Sequence, residues 1–96
     1  MARQTNFQNS EQPGEDDASL ALRALGWIVA DQLRAQRFLD LTGLTPESLR
    51  ASLAEPATLT AVLDFLASHE PDLTAAAEAM EIDPARFIAA RERLAR

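Results

Sequence analysis

Cysteine, lysine and tyrosine are all missing from this chain of 96 residues. Without cysteine there is no disulfide scaffold, zinc–thiolate centre, iron–sulfur cluster or cysteine nucleophile. Glycine occurs three times, at Gly14, Gly26 and Gly43, each isolated. A phosphate-cradling loop needs several glycines close together, so nucleotide-hydrolysing and dinucleotide-binding readings fall away. No window reaches the ~18 consecutive apolar residues of a membrane span. The first twenty residues hold no apolar run of signal-peptide length. The expected setting is therefore the cytoplasm.

What is present favours helix. Apolar residues make up 47 % of the chain, led by Ala and Leu, enough for a core in one small domain. A chain this short buries only about 60–65 % of its unfolded surface, so modest stability or self-association is expected. The net charge is −6, which opposes non-specific contact of the whole chain with nucleic acid or anionic membranes. All nine basic residues are arginine, a pattern that codon bias in a GC-rich genome produces without any functional cause. The charge is uneven: residues 1–17 hold one arginine and four acids, whereas residues 84–96 hold Arg86, Arg91, Arg93 and Arg96 against Glu92.

Residues 1–16 read as a disordered tail, polar and aperiodic, with Phe7 the one sizeable apolar residue besides Met1. Residues 17–96 read as a single all-helical domain. Asp17 is a candidate N-cap for a first helix over Ala18–Ala30, apolar around most of its circumference and so expected to be buried and central. Trp27 within it reads as a core residue rather than a stacking platform. A second helix ends at Thr42, with Ala35, Phe38, Leu39 and Leu41 facing inward. Gly43 is suited to a positive φ, and Leu44 is placed to touch Leu39 in a Schellman ending. Thr45 and Pro46 start a third helix, stapled by Leu44 and Leu49. Pro56 starts a fourth, with Leu59, Val62, Leu63 and Leu66 at helical spacing, which Pro71 ends. A fifth runs from Pro71 to Met80. The sixth is capped by Asp83, starts at Pro84, and is stapled by Ile82 and Phe87. The fold class is all-α, an irregular compact bundle of five or six short helices around a buried first helix.

Few residues point to chemistry. His69, followed by Glu70 and Asp72, could be a carboxylate-supported base or a weak metal ligand. It reads instead as the polar end of the fourth helix, since no nucleophile or second histidine has matching spacing. Asp16 and Asp17 read as helix-starting acids rather than a catalytic pair. The remaining acids are scattered, so no catalytic, cofactor or metal site is expected. The stretch from Leu73 to Phe87 resembles a DNA-binding helix-turn-helix: small Ala77 where the helices touch, apolar Met80 and Ile82 at the turn, and a basic second helix. Glu81 stands where such turns usually carry Gly, and Pro84 with Ala85 leaves few side chains to read base edges.

The run Ala21-Leu22-Arg23-Ala24-Leu25-Gly26-Trp27, then Arg37-Phe38-Leu39-Asp40-Leu41-Thr42-Gly43-Leu44, then Ala61-Val62-Leu63-Asp64-Phe65-Leu66, resembles a family of small alphaproteobacterial proteins, domain of unknown function 3572. The likeness spans about residues 18–94. It implies bacterial origin and a compact helical fold, and carries over no activity and no functional residue.

The function expected is that of a non-enzymatic protein-interaction or adaptor module, its partner another protein of unknown identity. The alternative is a nucleic-acid binder working through residues 73–96, with Arg86, Arg91 and Arg93 on the phosphates. A third reading is a small enzyme centred on His69. An adaptor should expose an apolar patch, a DNA binder a basic face, an enzyme a cleft around His69.

Overall fold

Short polar caps and prolines divide the chain into helices, and their placement follows local chemistry closely. The computed structural model describes residues 15–96. The expected disorder of residues 1–16 therefore lies, for residues 1–14, outside the described residues. Among the described residues there are six helices and no strand: α1 (Asp17–Val29), α2 (Gln32–Thr42), α3 (Pro46–Ala51), α4 (Pro56–Ala67), α5 (Glu70–Met80) and α6 (Pro84–Ala95). The chain is thus all-α, as its composition implies.

Each helix start satisfies an exposed N–H by a side chain or avoids the need for one. Asp16 Oδ1 accepts from Ser19 N at 2.7 Å. Asp31 Oδ2 accepts from Arg34 N at 2.8 Å. Asp83 Oδ1 accepts from Ala85 N at 2.9 Å. Thr45 and Ser48 cap each other reciprocally, 3.0 Å for Ser48 N to Thr45 Oγ1 and 2.9 Å for Thr45 N to Ser48 Oγ. The cap of α1 is therefore Asp16, one residue before the expected Asp17. That shift releases the Asp17 carboxylate for other partners.

Pro71 does not end α4. That helix closes at Ala67, where the Ser68 hydroxyl donates to Asp64 O at 2.7 Å. Pro71 falls in the first turn of α5, where a missing N–H has no partner to lose.

The two left-handed corners close differently. Gly43 takes a positive φ of 76 degrees. Its N–H donates to Leu39 O at 2.9 Å, the single bond of the αL motif. Leu44 N donates to Thr42 Oγ1 at 3.2 Å, so the Schellman bond expected there does not form. The full Schellman pair occurs after α5 instead: Glu81 N to Glu78 O at 3.2 Å and Ile82 N to Ala77 O at 3.0 Å. Glu81 also has a positive φ, 58 degrees. A side chain is strained in that left-handed region. Glu81→Gly is accordingly expected to stabilise the protein by about 0.5–1 kcal/mol, the strain relief exceeding the extra chain entropy of glycine. A rise in midpoint on urea unfolding checks this; a fall would show that Glu81 is unstrained.

The core lies where α1, α4 and α6 meet. Helix α4 packs against α1, α2, α5 and α6, so it shares the central place with α1. Its Val62, Leu63 and Leu66 are buried beside Leu20, Ala21, Ala24 and Ile28 of α1 and Phe87 and Ala90 of α6. Helix α1 buries this one face fully, but its other apolar residues are not all covered: Leu22 and Val29 are 41 % and 48 % exposed. Leu41 of α2, expected inward, is 71 % exposed. Trp27 is half-buried against the core, with the Arg34 guanidinium carbon 3.5 Å from its ring centroid.

Candidate functional site

The uncovered flank of α1 forms one side of an apolar groove of about 510 Å³. Leu22, Gly26 and Val29 supply that side, spaced so that they stand in one stripe along the helix. Ala35 and Leu39 of α2 form the second wall, next to Phe38, which points the other way into the core. Pro46, Leu49 and Arg50 of α3, followed by Leu53, form the third. The groove exists because α3 has only six residues, too few to cover a thirteen-residue neighbour. Arg50 is the one charged side chain in its lining.

Gly26 lies mid-helix in this stripe. A Cβ placed on it would meet nothing within 4 Å among the described residues. Glycine in a helix interior destabilises by roughly 0.5–1 kcal/mol relative to alanine. Gly26→Ala should therefore raise the stability of the isolated protein by about that amount. Thermal unfolding checks it; a lower midpoint would mean that the fold itself needs the space above Gly26.

Arg86, Arg91 and Arg93, the arginines of the nucleic-acid reading, pair with acids within the molecule. Arg86 and Arg93, seven residues apart, do share a face of α6, but that face meets the start of α1. Arg93 Nε and Nη2 donate to Asp17 at 2.6 and 2.8 Å, and Arg86 Nη1 donates to the same carboxylate at 2.9 Å. Arg86 Nη2 also donates to Glu15 O at 2.6 Å. Hydrogen bonding from Arg93, reinforced by Arg86, holds the Asp17 carboxyl down at about 2, because both guanidiniums favour its charged form. Arg91 turns instead to Asp64 of α4, 2.9 Å away. The three side chains form no common basic stripe; each is paired with an acid of another helix.

His69 is exposed and precedes the first residue of α5. Its Nδ1 lies 3.0 Å from Asp72 Oδ2, and Asp72 also accepts from Arg37 of α2. The neighbouring Ser68 hydroxyl donates to Asp64 O at 2.7 Å. The arrangement links α2 to α5. Among the described residues no three metal-ligating side chains gather, and no helix is long and apolar enough to cross a membrane.

Helical periodicity alone does not reveal the groove, because it groups Leu22 and Val29 with the buried residues of the first helix. The readable signal is an apolar circumference wider than one short helix can bury, interrupted by a glycine.

A family profile described as a protein of unknown function (DUF3572) matches residues 15–96. No curated protein and no solved structure matches the chain.

Proposed function

The chain belongs to the DUF3572 family, and we propose that it works as a non-enzymatic protein-interaction module whose docking surface is the α1–α2–α3 groove. One observation carries this reading: a concave apolar surface whose walls include the exposed Leu22 and Val29, with open space above Gly26 between them. Contiguous exposed apolar surface rimmed by polar residues marks an interaction site. The proposed setting is the cytoplasm of a bacterium, in keeping with the arginine-only basic set.

The test compares the wild-type protein with the Leu22→Glu/Val29→Glu double variant as baits in extract of the source organism. Both substituted side chains are partly exposed, so the variant should keep its circular dichroism spectrum. The expected result is a partner retained by the wild type and lost by the folded variant. Identical capture by both would remove the groove from the function.

The same reading expects no measurable binding to duplex DNA at physiological salt, weaker than the roughly 10⁻⁴–10⁻⁶ M of non-specific binders. Pairing of Arg86, Arg91 and Arg93 with acids, within a chain of net charge −6, supports this. A fluorescence anisotropy titration checks it. Micromolar affinity that falls steeply with added salt would favour the nucleic-acid reading instead.

A further inference from the structure

We infer that the occupant of the groove is an amphipathic α-helix of a partner protein, seated over Gly26 by an apolar stripe and held by a carboxylate of that helix paired with Arg50. The inference rests on the interaction-module reading above and names the chemistry of the partner.

Gly26 supplies the first argument. Its place in the helix is unfavourable by propensity, and no atom of the described residues uses the space that its missing side chain leaves. The gap falls between Leu22 and Val29, one turn from each, so the stripe has two ridges and a saddle. A saddle of this kind lets a second helix approach at the closer end of the ~8–10 Å range of helix packing. Leu22 to Val29 spans about 10 Å, two helical turns, which matches apolar anchors at positions i, i+3 or i+4, and i+7 of an incoming helix.

Charge supplies the second. Among the described residues Arg23, Arg37, Arg86, Arg91 and Arg93 each pair with a carboxylate. Arg34 donates to Trp27 O and covers its ring. Arg50 and Arg96 have no such partner among the described residues, and of these two Arg50 lines the groove. A neutral or basic helix laid in the groove would strip water from this guanidinium and give nothing back. An acidic side chain beside the apolar stripe restores the lost interaction by charge complementarity.

Other occupants fit less well. A second copy docked groove to groove would bring the same concave stripe, and two hollows facing each other leave the space unfilled. Residues 1–14 offer Met1 and Phe7 as their sizeable apolar residues, and end in Pro13 and Gly14. That is not the sequence of an apolar helical stripe.

The experiment is a display selection with a library of helix-biased peptides on the full chain, the enriched peptides then being titrated against the wild type and the Leu22→Glu/Val29→Glu variant. Enriched peptides should carry apolar residues at i, i+3 or i+4, and i+7, with Asp or Glu flanking them. Their affinity should fall about tenfold or more on Arg50→Glu, and recover when the peptide's acid is exchanged for Lys. Gly26→Leu, which fills the saddle, should weaken binding by a similar factor. Peptides that bind wild type and the double variant equally would overturn the groove reading and this inference together. Groove-dependent peptides without an acid, indifferent to Arg50→Glu, would overturn only this inference. Self-association in sedimentation that the double variant abolishes would assign the groove to a second copy. A tenfold gain in peptide affinity on removing residues 1–14 would assign it to the chain's own N-terminal segment.

Discussion

Phe38→Ala is expected to destabilise the protein by about 3–5 kcal/mol, the range for removing a fully buried phenylalanine. Phe38 has no exposed surface and is the only buried residue of α2. Its ring meets Phe65 of α4 edge to face, centroids 5.4 Å apart and planes at 85°. That geometry adds about 0.5–1.5 kcal/mol beyond area burial. Small domains are stable by only about 5–15 kcal/mol, so the variant should retain little margin. Because α2 has no other buried anchor, the loss should be felt there first. Amide exchange in α2 should accelerate more than in α4 or α6, and the urea midpoint should fall with it. A loss below about 1.5 kcal/mol would mean that the site collapses around the cavity. Helix α2 would then be held by its surface contacts, chiefly Arg37 with Asp72. The substitution also bears on docking, since Ala35 and Leu39, the α2 wall of the groove, flank the anchor.

The parts of this fold legible in the sequence are those fixed by short-range chemistry. Pro46, Pro56 and Pro84 mark helix starts, because a missing N–H does no harm there. Gly43 marks an end, because glycine takes a positive φ without strain. Thr45 and Asp83 cap the helices that follow them. The division of an apolar circumference between core and surface is not legible, because it depends on which neighbours arrive. Leu22 and Val29 are as apolar as Leu25 and Ile28; the core covers one pair, and nothing among the described residues covers the other fully. The exposure of Leu41 escapes the sequence for the same reason. The acidic start and basic end of the chain are visible as composition, but their meaning is not. Pairing Asp17 with Arg86 joins residues 69 apart, and helical periodicity carries no information at that range. The same arginines that suggest phosphate contacts are engaged within the molecule.

Asp17→Asn is expected to destabilise the protein by about 1.5–2 kcal/mol at neutral pH, the lower part of the range for hydrogen bonds to charged groups. The lower part applies because the Arg93 end is half open to solvent. The sign with pH follows from the direction of the shift. Asp17 is lowered from 3.8 to about 2 in the folded protein. Its stabilisation is therefore complete above the unfolded value and is lost as pH falls through the folded one. The gap between wild type and variant should stay constant from neutral pH to about 5, then narrow between about 4 and 2. Other carboxylates titrate in both proteins and cancel in the difference. Chemical unfolding at a series of pH values reads this directly; a gap that persists unchanged at pH 2 would trace the effect to packing rather than charge. The substitution also separates stability from docking. At about 100° per residue, Asp17 lies about 150° around α1 from the mean direction of Leu22, Gly26 and Val29. Its carboxylate faces α6, whereas the groove opens toward α2 and α3. Loosening the clamp should therefore lower the unfolding midpoint while leaving the affinity of groove-selected peptides unchanged, and Gly26→Leu should weaken those peptides without removing the acid dependence that Asp17 confers.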